Sequence, residues 1–297
     1  MIKRLVSPLI CAAALAGQET PPFQVPNGVE VQQDVVYSMA GDVPVRGDLY
    51  LPKSGHGPFP AVVYVHGGGK PTKNLGGTKA GFRRQAALMA EKGFVGLSID
   101  YRFLDNPGYP ACISDGKAAV RWLRANAKKY GIDPGRIGAA GGSWGGYIVG
   151  MLGATPDFPE FEGDGGNRGF SSRVKAVAAF NPALDLVSFG SGARKGPSGT
   201  FAEFLRAKYS DQPELWAKAS PMTYIGKSSA SFLFLHGTRD TTVLIAESQG
   251  MMEKLAAAGV HAEIFTAEGA GHAFFHGPPW FELTLKRMEE FFAQYLK

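Results

Sequence analysis

Residues 136–147 read Arg136-Ile-Gly-Ala-Ala-Gly-Gly-Ser-Trp-Gly-Gly-Tyr147, and this stretch decides how the whole chain is read. Arg136–Ala140 is a short run that reads as a buried strand, and a helical pattern starts at Trp144. Between them Gly141-Gly142-Ser143-Trp144-Gly145 matches G-x-S-x-G, in the strand-turn-helix context that motif requires. A serine at such a corner sits on a sharp, strained turn that pushes its hydroxyl out of the sheet. Glycine at the flanking positions leaves room for the backbone to pass. The pattern predicts Ser143 as a nucleophile.

A serine hydroxyl is a weak nucleophile until a base takes its proton, so partners must follow. In this arrangement they come in the chain order Ser, acid, His. After the apolar run Ser231–Leu235 comes His236-Gly-Thr-Arg-Asp240, which puts Asp240 at a strand's carboxyl end. After Ala262–Thr266 comes Gly269-Ala-Gly-His272, a glycine-lined loop in the equivalent place. His272 is thus the predicted base, with Asp240 fixing its tautomer and stabilising the imidazolium. Asp185, just past Val174–Phe180, is an alternative position for the acid. Upstream, His66-Gly67-Gly68-Gly69 follows Ala61–Val65, where loop amides can point at a developing oxyanion and the amide of Trp144 can complete the hole. His66 itself reads as a brace for that loop.

The remaining runs fill in an alternating pattern. Val29–Val36 and Val43–Leu51 read as an antiparallel hairpin around Gly41-Asp42. Ala61–Val65, Phe94–Ile99, Arg136–Ala140, Val174–Phe180 and Ser231–Leu235 read as strands buried on both faces, with a weaker one at Ala262–Thr266. Asp115–Lys129, Trp144–Leu152, Val243–Ala258 and Trp280–Leu296 read as helices, Gly259 stopping the third. The basic residues of Arg121–Lys129 read as a solvated helix face, and Asp115 as that helix's cap. Strand-helix alternation implies right-handed crossovers and a mostly parallel sheet, an α/β fold. Only Asp185–Lys227 breaks the rhythm, with a Gly/Ser/Pro-rich loop and two short amphipathic pieces, Phe201–Lys208 and Pro213–Lys218. It reads as a cap inserted over the sheet's carboxyl edge, where open α/β sheets bind ligands.

Composition bounds the rest. Of 297 residues 44% are hydrophobic and 19% charged, enough for one sizeable core. Gly is 40 of 297, nearly double the usual ~7%, and it gathers in tight loops. Residues 1–16 read as an export signal: Lys3 and Arg4, an apolar Leu5–Leu15, then Ala14-Leu15-Ala16 for cleavage. Ile10 is too bulky for a lipoprotein signal at Cys11. Residues 17–28, with Pro21, Pro22 and Pro26, form a flexible lead-in to a catalytic domain over 29–297. Losing Lys3 and Arg4 lowers the formal charge from +5 to +3, too mild for nucleic acid or a membrane surface. The mature chain would keep only Cys112, so no internal disulfide forms. No metal or other cofactor is expected. His272 and His276 have i, i+4 spacing but lack the glutamate of H-E-x-x-H, and Gly226-Lys227-Ser228 lacks the earlier glycine of a phosphate loop.

Taken in order, His66-Gly-Gly-Gly, Asp100-Tyr-Arg, Asp115-Gly-Lys-Ala-Ala-Val-Arg-Trp-Leu-Arg-Ala-Asn-Ala, Gly131-Ile-Asp-Pro, Gly142-Ser-Trp-Gly-Gly, Ser220-Pro and His236-Gly-Thr-Arg-Asp resemble the bacterial carboxylesterases of the α/β-hydrolase superfamily. The likeness is greatest to the branch of feruloyl and acetyl xylan esterases, near the hormone-sensitive-lipase-like enzymes, and covers about residues 30–295. It implies Ser143, Asp240 and His272 as the triad, with Gly67, Gly68 and Trp144 as oxyanion donors. Ester cleavage through an acyl-enzyme follows from it, and the export signal suggests a small or polysaccharide-linked ester as the partner, met outside the cytoplasm. Relatives often have an aromatic after the glycines where this chain has Lys70, so the acyl and alcohol preference does not carry over. Two other readings stay open: a secreted peptidase related to prolyl oligopeptidases, which share the elbow but carry a large propeller, and a hydrolase-like fold that only binds.

Overall fold

A computed structural model describes residues 23–68, 71–72, 75–76, 79–103, 108–156 and 158–297. The expected signal, residues 17–22 of the lead-in, Gly69 and Lys70 lie outside the described residues. The main sheet has eight strands: β1 (Val29–Ala40), β2 (Val43–Pro52), β3 (Phe59–Val65), β4 (Val95–Ile99), β5 (Ile132–Gly142), β6 (Ala176–Phe180), β7 (Ser231–Gly237) and β8 (Ala262–Ala267). Their order is β1-β2-β4-β3-β5-β6-β7-β8, with β2 antiparallel to both neighbours and all later pairs parallel. The helices are α1 (Arg83–Glu91), α2 (Ala111–Ala125), α3 (Ala127–Tyr130), α4 (Trp144–Ala154), α5 (Leu186–Gly190), α6 (Ser198–Leu205), α7 (Pro213–Lys218), α8 (Ala246–Ala257) and α9 (Trp280–Leu296). This is the expected α/β-hydrolase architecture. The unbroken apolar runs are explained by cover on both faces. In β3, Ala61, Val63 and Val65 join a core with α2, α4 and α8, while Val62 and Tyr64 join a second core with α1 and α9.

Register is what makes the site. Val65 of β3 pairs with Gly141 of β5, Gly142 with Phe180 of β6, and Phe180 with Leu235 of β7. Gly237 of β7 pairs with Ala267 of β8. The carboxyl ends of five adjacent strands therefore reach one rim, and each hands over to a loop there.

Two sequence expectations about α2 are corrected. Asp115 does not cap it, because the helix begins four residues earlier at Ala111. Instead Asp115 is buried and takes a forked ion pair from Arg102, with Nη2 at 2.7 Å and Nε at 3.1 and 3.0 Å from its oxygens. Nor is Arg121 on a solvated face: it is 1% exposed, and Lys117, one turn earlier, is 0% exposed. Lys117 donates to Thr155 O at 2.7 Å, Glu162 Oε1 at 2.9 Å and Ser172 Oγ at 3.1 Å. Arg121 pairs with Glu162 Oε2 and donates to Gly165 O at 2.7 Å. The loop 155–172 folds over these cations and satisfies them, which is how they tolerate burial. A 3.6-residue pattern shows which side is basic, but not that a distant loop covers it.

Candidate active site

Ser143 stands between β5 and α4 with φ 54° and ψ −114°, a backbone conformation that non-glycine residues rarely hold. Neighbouring backbone enforces it. A Cβ on Gly145 would lie 2.0 Å from Val65 O, and one on Gly141 2.6 Å from Gly145 O. The elbow can only be this tight because those two side chains are missing. The Ser143 amide donates to Phe180 O at 2.9 Å, tying the corner to β6.

The three residues far apart in sequence meet at the rim. His272 Nε2 is 2.8 Å from Ser143 Oγ, and His272 Nδ1 is 2.7 Å from Asp240 Oδ2. Asp240 is buried, and its other oxygen, Oδ1, accepts from the Thr242 amide at 2.9 Å and the Val243 amide at 3.0 Å. Burial by itself would raise this carboxyl. Hydrogen bonding from the neighbouring His236 and from His272, together with the Val243 amide, holds it well below the ordinary carboxylate range. An ionised carboxylate only accepts, so His272 carries its proton on Nδ1 and Nε2 is free to accept from the serine. His236 is the outer support. Its Nε2 donates to Val243 O at 2.8 Å, since a carbonyl cannot donate, and lies 3.4 Å from Asp240 Oδ2. Its Nδ1 then accepts from Ser248 Oγ at 2.8 Å.

The loop after β3 runs beside the elbow. A Cβ on Gly67 would lie 3.2 Å from Gly142 O and 3.4 Å from Ser143 Cβ, and one on Gly68 3.7 Å from Trp144 Cβ. Trp144 opens α4, and the first amides of a helix have no acceptor within it. His66 braces the loop: its Nδ1 donates to Gly67 O at 2.7 Å. Burial lowers its pKa to about 4, so the ring is neutral. Tyr101 stacks on that ring and donates to His66 O at 3.0 Å, while the Arg102–Asp115 pair beside it anchors the segment to α2. The Asp100-Tyr-Arg motif is thereby explained as scaffolding for the loop.

Asp185, the alternative acid, is not brought to His272. It caps α5, accepting from the Ser188 amide at 3.3 Å. Sequence reasoning missed Asn181, the first residue after β6. It is fully buried with φ 37°, and its Nδ2 lies 3.3 Å from His272 Nε2, beside the serine. Asn181-Pro182, closing an apolar run, was the available signal. Also missed were the aromatics over the elbow. Phe103 and Phe204 meet the Trp144 ring edge-on at 4.9 and 4.8 Å, and Phe201 stacks on it at 5.1 Å. Phe201 and Phe204 come from α6, within the stretch 185–227 that breaks the strand-helix alternation. Among the described residues no cluster of three possible metal ligands occurs, and no helix is long and apolar enough to cross a membrane.

Comparison with known proteins shows what the chain as a whole is similar to. The BD-FAE family model matches residues 47–255. Esterase LipC of Mycobacterium tuberculosis is 30% identical over 226 residues, 73% of this chain and 53% of that protein. The chain thus spans about half the length of the curated relatives it matches. Among solved structures, a truncated carbohydrate esterase from gut microbiota superposes with TM-score 0.75 at 25% identity, covering 90% of this chain and 96% of that one. A thermophilic esterase of Thermogutta terrifontis, Est2, solved with propionate bound, gives TM-score 0.73 at 29% identity, covering 90% of this chain and 94% of that one. The same Est2 has been solved phosphorylated by paraoxon, with TM-score 0.72 at 28% identity and coverage of 93% and 97%. A family model spanning most of the chain, laid over this sheet order and this elbow, leads to one assignment: the chain belongs to the BD-FAE family and has the α/β-hydrolase fold.

Proposed function

We propose that the protein is a serine carboxylesterase working through an acyl-enzyme on Ser143. The observation that carries this is the continuous hydrogen-bond chain Ser143 Oγ, His272 Nε2, His272 Nδ1, Asp240 Oδ2, at 2.8 and 2.7 Å. Oγ attacks the ester carbonyl carbon as its proton passes to Nε2. The oxyanion falls beside the Gly67, Gly68 and Trp144 amides, where one such donor is worth ~10²–10³ in rate. The tetrahedral adduct collapses, His272 protonates the leaving alcohol, and water, deprotonated by the same imidazole, releases the acid. Asp240 stays ionised throughout and orients the ring.

Within this reading the substrates are small or polysaccharide-linked esters of acetyl or feruloyl type, and residues 185–227 act as a cap whose α6 aromatics wall the acyl pocket. Supporting this are the likeness to a carbohydrate esterase and the packing of Phe201 on Trp144. Residues 1–16 direct export, on the strength of Lys3, Arg4 and the apolar Leu5–Leu15. The test is Ser143→Ala assayed on p-nitrophenyl acetate and on acetylated and feruloylated oligosaccharides. Turnover should vanish in the variant, and undiminished turnover would overturn the reading.

A further inference from the structure

A second cluster, outside the triad, has no role in the chemistry above. Arg83 and Arg84 open α1 and line a cleft of about 360 Å³ together with Phe23, Gln85, His276 and Phe281. Among the described residues neither guanidinium has a carboxylate within ion-pair distance. Arg83 Nη2 donates to Phe23 O at 3.2 Å, and Arg84 Nη1 reaches His276 O only at 3.5 Å. Arg84 lies over the Phe281 ring at 3.8 Å, and both arginines face the Phe23 ring at 5.6 and 5.8 Å. Arg84 Nε is buried with no partner. Gln85, 3% exposed, makes no side-chain hydrogen bond among the described residues. Arg83 is exposed and Arg84 half-buried, so their forks open onto the cleft, while Arg84 Nε is a buried donor for which the chain supplies no acceptor.

The cleft also has a definite position. Its Gly81 wall lies against the oxyanion loop, since a Cβ there would come within 2.9 Å of His66 Cβ. His276 belongs to the loop that carries His272, four residues on. Being at the start of α1, the cleft receives the favourable end of that helix dipole as well. Two planar guanidiniums match the two oxygens of a carboxylate. The volume sits at the low end of the ~300–1,000 Å³ typical of organic-ligand clefts, more room than a lone oxyanion needs. Phe23 offers an apolar face beside the cations.

We infer that this cleft is a subsite for a carboxylate-bearing sugar of the substrate, making the enzyme selective for esters on acidic, uronate-containing chains. The inference rests on the esterase reading, and the experiment separates the two. The probes are p-nitrophenyl acetate and a matched pair of acetylated oligosaccharides, one neutral and one carrying a uronic-acid residue. Wild type should prefer the acidic oligosaccharide by about tenfold or more in kcat/KM, the value of one charge-assisted contact. Arg83→Gln with Arg84→Gln should erase that preference, and so should high salt, while p-nitrophenyl acetate turnover stays within about twofold. Arg84→Lys, which keeps the charge and the packing but not the fork, should lose part of it; Arg83→Gln alone guards against misfolding of the double variant. Equal rates on both oligosaccharides, or a preference that survives in the double variant, overturns the subsite. Binding of inorganic phosphate without any substrate preference also overturns it, in favour of a free-anion site. Loss of p-nitrophenyl acetate turnover in Ser143→Ala with the preference absent in wild type sinks the subsite alone, whereas no ester turnover in wild type sinks the esterase reading.

Discussion

Asp240→Asn isolates the part of the triad that does no bond-making. In wild type, Oδ1 accepts from the amides of Thr242 and Val243, and Oδ2 accepts from His272 Nδ1. An asparagine has one oxygen for these three donors. If the oxygen stays on the two amides, the NH2 group faces Nδ1 and donates to it, so the imidazole proton moves to Nε2. Nε2–H then points at Ser143 Oγ and cannot take its proton. If the amide flips, His272 keeps the right tautomer but two backbone N–H groups face an NH2. An unsatisfied buried donor costs ~1–3 kcal/mol, and the pair therefore ~2–4 kcal/mol since Thr242 is exposed. The unproductive orientation wins by a factor of ~30–1,000. The productive minority also lacks a negative charge under the imidazolium, worth a further ~1.5–3 kcal/mol. Together these, ~3.5–7 kcal/mol, give a fall in kcat of about 400-fold to 10⁵-fold, a range that contains the ~10⁴ for the same exchange in the serine-protease template. Steady-state hydrolysis of p-nitrophenyl acetate measures it, with a thermal melt to confirm an intact fold. A well-folded variant retaining kcat within tenfold of wild type would refute the tautomer argument.

Gly145→Ala places a methyl 2.0 Å from Val65 O, against backbone that cannot yield, and should cost more than ~4 kcal/mol or abolish soluble expression. Gly199→Ala, in α6 with nothing within 4 Å, should instead be neutral or stabilising by up to ~1 kcal/mol in urea unfolding. Lys117→Met removes a cation that is 0% exposed and leaves Glu162 with Arg121 as its one cationic partner beside the Ser172 hydroxyl among the described residues, so stability in urea should drop by about 2–4 kcal/mol at unchanged kcat. Burial would raise the Glu162 carboxyl, but hydrogen bonds from Ser172 and Lys117 and the nearby cations bring it below its usual 4.5. A depressed folded-state pKa means its stabilisation is present above about pH 4.5 and is lost as pH falls further; Glu162→Gln should flatten that acid limb of the stability-pH curve. Phe201→Ala, opening the stack on Trp144, should destabilise by about 3–4 kcal/mol and raise octanoyl over acetyl p-nitrophenyl ester turnover relative to wild type.

Why the triad could be read from sequence and its surroundings could not is a matter of range. Each triad residue follows an apolar run that ends in glycine, and parallel strands in register must end together, so Ser143, Asp240 and His272 are bound to meet once the strands are recognised. Gly141 and Gly145 announce themselves because a close backbone approach permits no other residue. Asn181 has only the weaker sign of an Asn-Pro pair closing an apolar run. It matters because β6 lies between β5 and β7, and that neighbour relation is a property of sheet order rather than of local pattern. Arg121 departs from its expected solvated face for the same reason, its partners, like those of Lys117, being carried in by a loop some forty residues away. Helical periodicity reports how a segment divides its two faces. It is silent on what folds over either. Charge on a helix therefore says solvent only where no loop is long enough to return, and the stretch 155–172 is long enough to supply an acceptor for every nitrogen of those two side chains.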